Sequence, residues 1–217
     1  SGHTKQKMRK RMKIYFDGDS FTKGTELVNK ERDRFSRLIC NSLGAEEYNI
    51  AKGGSSNLAI TRRLIVENDI SQYDYAIINM TMAMRFEFYD GEKYVSIRPP
   101  SKIRGKHGSH LLKKLETFDV IEWMRKFYSD IYHDKLGNDY ECMLYNCIRN
   151  HCKVHNVPLI LTTNRTFGRK YRYLESLVDF HLNLDKYPKM GEGHPSKEGH
   201  EMIASDILDI INSENLF

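Results

Sequence analysis

Four short apolar runs separated by stretches of helical periodicity constrain this chain more than any other feature. Residues 12–16, 48–51, 73–80 and 157–163 each hold a compact set of strand-forming residues, and Tyr75, Ala76, Ile77 and Ile78 follow one another without a polar break. Uninterrupted apolar runs of this length suit strands covered on both faces, as in parallel sheets. Between them the apolar residues recur at helical spacing. Within 31–43 they are Phe35, Leu38, Ile39 and Leu43, followed by Gly44 as a stop; residues 58–66 repeat the pattern. Residues 120–155 read as two helices broken near Gly137-Asn138. Residues 196–211 read as the closing helix, with Ser196 as N-cap and Ile203, Ile207, Ile210 and Ile211 as its buried stripe. Strand and helix alternate throughout, so the expected fold is α/β, a mostly parallel sheet between two helical layers.

A length of 217 residues accommodates one such domain. Hydrophobic residues make up 40% and charged residues 29%, which excludes a wholly disordered chain, and no apolar run approaches the 18 or so residues of a spanning helix. The formal charge of +5 invites a polyanion partner. Yet Lys5, Lys7, Arg9, Lys10, Arg11 and Lys13 put six basic groups and no acid in the first thirteen residues, which leaves the rest at net −1. We therefore divide the chain into a basic arm at 1–11 and one domain at 12–217, and expect neither a membrane nor a nucleic-acid partner. Ser1-Gly2-His3 reads as a cleavage remnant, with Met8 and Met12 as candidate starts. No secretory signal pattern precedes the domain, and the four cysteines include no CxxC pair. Both point to a cytoplasmic location with reduced thiols. Residues 86–114 break the α/β rhythm with Asp90-Gly91, Pro99-Pro100 and a cluster from Lys102 to Lys114, and read as a hairpin-like insertion roofing the site.

In open α/β sheets, ligands bind beyond the carboxyl ends of the strands. Gly18-Asp19-Ser20-Phe21 follows the first run, Gly53, Gly54 and Asn57 the second, and Asn79, Thr81 and Arg85 the third; Glu192-Gly193-His194-Pro195 precedes the last helix. A hydroxyl, an imidazole and exposed backbone N–H groups are what acyl transfer requires: a nucleophile, a base and donors for an oxyanion. Each residue also has a plainer reading. Ser20 could cap a helix, Gly53 and Gly54 could serve a tight turn, Asn57 could support the Ser20 loop, Asp19 could bond its own turn, and Arg85 could pair with Glu87 or Glu67. His151 and His155 stand four apart without a third ligand at suitable spacing, so no metal or other cofactor is expected. Tyr171 and Tyr173 among Arg169, Lys170 and Arg172 mix aromatic and basic residues as nucleic-acid surfaces do, a minor reading beside a near-neutral body.

These blocks, in this order, resemble the SGNH (GDSL-like) hydrolases. Gly18-Asp19-Ser20-Phe21 is similar to the first block, 49–54 to the second with Ala51 in place of a glycine, and His194-Pro195-Ser196 with Gly199-His200 to the last. The resemblance implies a flavodoxin-like three-layer fold and a metal-free serine esterase or deacetylase. It implies Ser20 as nucleophile, His194 as base, and the N–H groups of Ser20 and Gly54 as the oxyanion hole. Two positions depart from the pattern. Thr81 stands where the third block carries an asparagine, so Thr81, Asn57, Arg85 or Asn79, two residues earlier on the same strand face, is the expected replacement. Gly191 stands where the orienting Asp belongs, so Glu192 is expected to hold His194. Arg85, with Asp19 beside the nucleophile, is expected at the substrate edge. The spacing Thr81, Arg85, Glu87 is similar to a branch associated with phage and other viral genomes, which would place the protein in a host cytoplasm. The substrate would be a small-molecule or glycan acyl ester. The alternative is a binding module of the same fold that recognises a nucleotide, a glycan or a protein.

Overall fold

The computed structural model describes residues 11–89, 91–97, 118–165, 167, 169–191 and 193–213. Most of the basic arm and the cluster from Lys102 to Lys114 therefore lie outside the described residues.

Strand β1 (Lys13–Asp17) leads into helix α1 (Ser20–Lys23), then α2 (Lys30–Asp33) and α3 (Phe35–Leu43). Strand β2 (Glu46–Asn49), helix α4 (Asn57–Arg62) and β3 (Tyr75–Met80) follow. A hairpin of β4 (Phe86–Tyr89) and β5 (Tyr94–Ile97) precedes α5 (Phe118–Lys126) and the long α6 (Asp134–Val154). Strands β6 (Leu159–Thr163) and β7 (Phe180–His181) and helix α7 (Lys197–Ser213) complete the chain. The main sheet has the order β2-β1-β3-β6-β7 with every pairing parallel.

The period-2 geometry of a strand divides the core in two. Ile14, Phe16, Tyr75, Ile77 and Ile160 face one layer, where they meet Phe35 and Ile39 of α3 and Ile203, Ile207 and Ile211 of α7. Tyr15, Ala76, Ile78, Met80 and Leu161 face the other, against Ile60 and Leu64 and against Leu144, Tyr145 and Ile148 of α6. The fold is thus the α/β arrangement that the alternating pattern predicts, with β3 buried along its whole length. Among the described residues, no helix is long and apolar enough to cross a membrane.

Three details differ from expectation. The 31–43 helix is interrupted at Arg34, whose extended ψ of 146° restarts the helix at Phe35. The break expected near Gly137-Asn138 lies earlier, around Tyr132 and His133; Gly137 and Asn138 sit inside α6. Glycine is tolerated there because the Tyr132 ring occupies the space a side chain would need, with the hydroxyl 2.6 Å from the position of a Cβ. Strand β7 escaped the pattern because it is two residues long. A hairpin begins at Phe86 and docks on α4: Arg62 pairs with Glu87 and lies 3.7 Å over the Tyr94 ring. Cys40 and Cys152 are buried and Cys147 exposed, so the cysteines of α6 share no face. Replacing fully packed Ile77 by Ala should cost about 2–5 kcal/mol, read as a lowered urea midpoint with an unchanged slope.

Candidate active site

The carboxyl end of the sheet is organised around one buried ion pair. Asp17, the last residue of β1, is fully buried, and Arg63 is only 3% exposed. Arg63 Nε donates to Asp17 Oδ2 at 2.9 Å and Nη2 to Oδ1 at 2.6 Å; Nη2 also reaches Ser55 Oγ at 3.1 Å. The Gly18 N–H donates to Asp17 Oδ1 at 2.6 Å. Burial pushes the Asp17 carboxyl up while Arg63 and the Gly18 N–H pull it down. Arg63 reaches this position where α4 widens into a π-helical turn (Arg63–Glu67), and the Asn68 side chain closes the turn by donating to Arg63 O at 2.7 Å. One guanidinium thereby ties the loop after β1 to the loop after β2. Arg63→Ala should lower stability by about 3–5 kcal/mol, because it leaves a buried carboxylate uncompensated. A double variant that also carries Asp17→Asn should recover part of that loss in the same denaturation assay.

Ser20 opens α1. Asp19 is its N-cap, with Oδ1 accepting from the Phe21 N–H at 3.0 Å. Gly18 is required by space, since a Cβ there would stand 2.3 Å from Thr22 Oγ1. Asn49 holds the far side of α1: its Nδ2 donates to Thr22 O at 2.9 Å and to Ser36 Oγ at 2.8 Å. The glycine turn after β2 runs beside the serine, for a Cβ on Gly53 would lie 3.9 Å from Ser20 Cβ. Gly54 has φ +77°, a left-handed conformation that glycine adopts without penalty.

His194 comes to the same place from the opposite end of the chain. Its carbonyl accepts from the Met190 N–H at 2.7 Å, and Lys189 bridges Pro195, which fixes the approach to α7. The His194 ring lies 5.3 Å from the ring of Phe21, the neighbour of Ser20. Its Nδ1 is 3.1 Å from Glu26 Oε2. Both atoms are closed off from solvent, at hydrogen-bond distance but not yet aligned for a straight bond. Glu26 itself has φ +74°, which costs a residue with a Cβ about 1–2 kcal/mol. Glu192, the acid expected from the motif, lies outside the described residues.

At the end of β3 the expected donors have other partners. Thr81 is fully buried, and its hydroxyl donates to Asp19 Oδ2 at 2.8 Å. Asn57 Nδ2 donates to Thr81 O and to Glu141 Oε1, both at 3.0 Å, while its Oδ1 accepts from the Thr81 N–H at 2.7 Å. Asn57 thus clamps the Thr81 backbone from behind. Asn79 stays within the sheet, where its Oδ1 accepts from the Thr162 hydroxyl at 3.1 Å. Arg85 does not pair with Glu87 or Glu67, both of which engage Arg62. Its Nη1 instead donates to Asp19 Oδ2 at 3.1 Å, Thr81 Oγ1 at 2.9 Å and Ser55 O at 3.3 Å, with 17% of the side chain exposed. Asp19 is buried under these contacts, so it supports the site from beneath rather than lining its open edge.

Three residues here carry no motif. Glu141 of α6 binds Asn57, Tyr145 and Arg165, and burial pushes its carboxyl up to about 7. Arg63 had a visible signal, a charge on the inward stripe between Ile60 and Leu64; Glu26 had none. The rings of His151 on α6 and His155 at its C-cap lie 4.6 Å apart at a tilt of 56°, and no group of three metal-ligating side chains forms among the described residues.

His200 supports the histidine arm. Its Nδ1 accepts from the Phe35 N–H at 3.2 Å, and its ring stacks on Phe35. Burial, with a smaller contribution from His194, pushes it down to about 4. A base whose folded pKa is depressed stabilises the fold above its unfolded value of 6.5 and loses that contribution as pH falls toward 4. Thermal stability should therefore drop between pH 6.5 and 4, and His200→Gln should flatten that part of the profile.

No protein-family model matches the chain, and no curated protein matches it by sequence. Solved structures do match. A carbohydrate esterase superposes with a TM-score of 0.60 at 11% identity, covering 95% of this chain and 66% of that one. The psychrotrophic esterase EstA from Pseudoalteromonas sp. gives 0.52 at 12%, covering 93% and 97%. A protein from Desulfitobacterium hafniense assigned to the lipolytic G-D-S-L family gives 0.52 at 12%, covering 90% and 97%. The chain spans about two thirds of the first of these proteins and nearly all of the other two. At such identities the likeness speaks for architecture, and the chain shares the α/β fold of these proteins.

Proposed function

We propose that the protein is a serine acyl hydrolase acting on ester or acetyl groups of a small-molecule or glycan substrate. The observation that carries this reading is the meeting of two ends of the chain: the Ser20 loop contacts the His194 ring through both Phe21 and Glu26. Esterases sharing the fold support it.

With Nδ1 turned to a carboxylate, Nε2 of His194 is the nitrogen left to receive the Ser20 Oγ proton. The alkoxide adds to the ester carbonyl, and the oxyanion rests on the backbone N–H groups of Ser20 and Gly54. Collapse expels the alcohol, which takes the proton from His194. Water, deprotonated by the same imidazole, then attacks the acyl-serine; the C–Oγ bond breaks, Ser20 Oγ takes the proton back from His194, and the acid is released. Thr81 and Asn57 act from behind by holding the end of β3. Arg85, anchored on Asp19 beside the Ser55 carbonyl, supplies positive charge where the asparagine of the third block is missing.

A fluorophosphonate probe should label the wild type and not Ser20→Ala, with turnover of a p-nitrophenyl ester falling in parallel. Equal labelling of both would remove Ser20 from the nucleophile role and leave a binding function for the crevice.

A further inference from the structure

We propose that Glu26, a residue outside every sequence block, is the positioning acid of His194. The inference rests on the Ser20–His194 reading and adds to it the group that orients the base.

Glu26 lies six residues after Ser20, on the loop leaving α1. That loop is fastened to the nucleophile's own backbone: the Thr25 N–H donates to Ser20 O at 2.9 Å, and the Leu27 N–H to Gly24 O at 3.3 Å. The hydroxyl and the carboxylate therefore travel as one rigid unit. Oε2 of Glu26 faces Nδ1 of His194 at 3.1 Å, and neither atom is exposed to water. A carboxylate at Nδ1 selects the tautomer with the proton on that nitrogen, which leaves Nε2 as an acceptor toward Ser20. The backbone supplies a second, independent observation. Glu26 is held at φ +74°, where Gly, Asn or Asp would be the ordinary occupants, and strained backbone of this kind clusters at functional sites. A glycine would satisfy the turn and lose the carboxylate. The orienting acid thus comes from the nucleophile's side of the site, whereas the sequence motif points to the histidine's side.

The test reads the imidazole directly. In 15N spectra recorded where the ring is neutral, His194 of the wild type should carry its proton on Nδ1. Glu26→Gln and Glu26→Gly should both shift the population toward Nε2–H, and Glu192→Gln should leave it on Nδ1. Glu26→Gly should fold at least as stably as the wild type, because glycine suits the left-handed turn, and yet lose kcat on the order of 10³-fold or more with KM changed only a few-fold. An unchanged tautomer in both Glu26 variants, or a shift in Glu192→Gln alone, overturns the proposal. Should the wild type resist the fluorophosphonate while the tautomer still follows Glu26, the positioning role stands and the acyl-hydrolase reading falls.

Discussion

The site depends on the Asp17–Arg63 pair. Taking a carboxylate and a guanidinium out of water costs several kcal/mol per ion, recovered only with good geometry and further hydrogen bonds. Here the two charges meet through two donors, and Gly18 and Ser55 add more. The pair thereby joins two loops that the chain would otherwise leave independent. The Gly-Asp-Ser turn and the glycine turn are each short, the first buried at Gly18 and Asp19 and the second exposed at Gly53 and Gly54. The oxyanion hole proposed for these two turns would need their relative position fixed within a fraction of an ångström. A single cation anchored on the end of β1 provides that position.

A second polar layer extends from this anchor across the end of the sheet. Asp19 gathers Thr81 and Arg85, Thr81 is clamped by Asn57, and Asn57 rests on Glu141, which Arg165 partners in turn. Each buried group has an assigned partner, the condition under which such a network rigidifies a site. The third strand end is therefore built around a threonine and an arginine. Thr81 takes up a structural bond, and charge moves to the partly exposed Arg85. The histidine side is built differently. The backbone turn holds His194, the Glu26 carboxylate stands 3.1 Å from its Nδ1, and His200 beneath it is kept neutral by burial.

Much of the architecture was legible because it rests on local periodicity. Runs such as Tyr75–Met80 mark a strand buried on both faces, and Ile203, Ile207 and Ile211 mark the covered stripe of the last helix. Where tertiary packing overrides local preference, the reading slipped. Gly137 and Asn138 look like a helix stop, yet Tyr132 packs against the glycine and Arg165 bonds the asparagine, so both remain inside α6. Strand β7 holds two residues and has no period to detect.

At the site the division is sharper. The sequence alone determined which residue types stand at the strand ends, Ser20, Gly54 and His194 among them, because turn chemistry and block order are local properties of the chain. The partners of those residues were decided only by tertiary structure. Thr81 and Asn57 looked like donors for a substrate, and their bonds turn inward. Arg85 looked like a mate for Glu87, and Arg62 holds that glutamate instead. Glu26 bore no mark at all. Such contacts are fixed by the folded arrangement of groups that lie far apart in the chain, as Glu26 and His194 do at a separation of 168 residues, and no spacing in the chain encodes that approach.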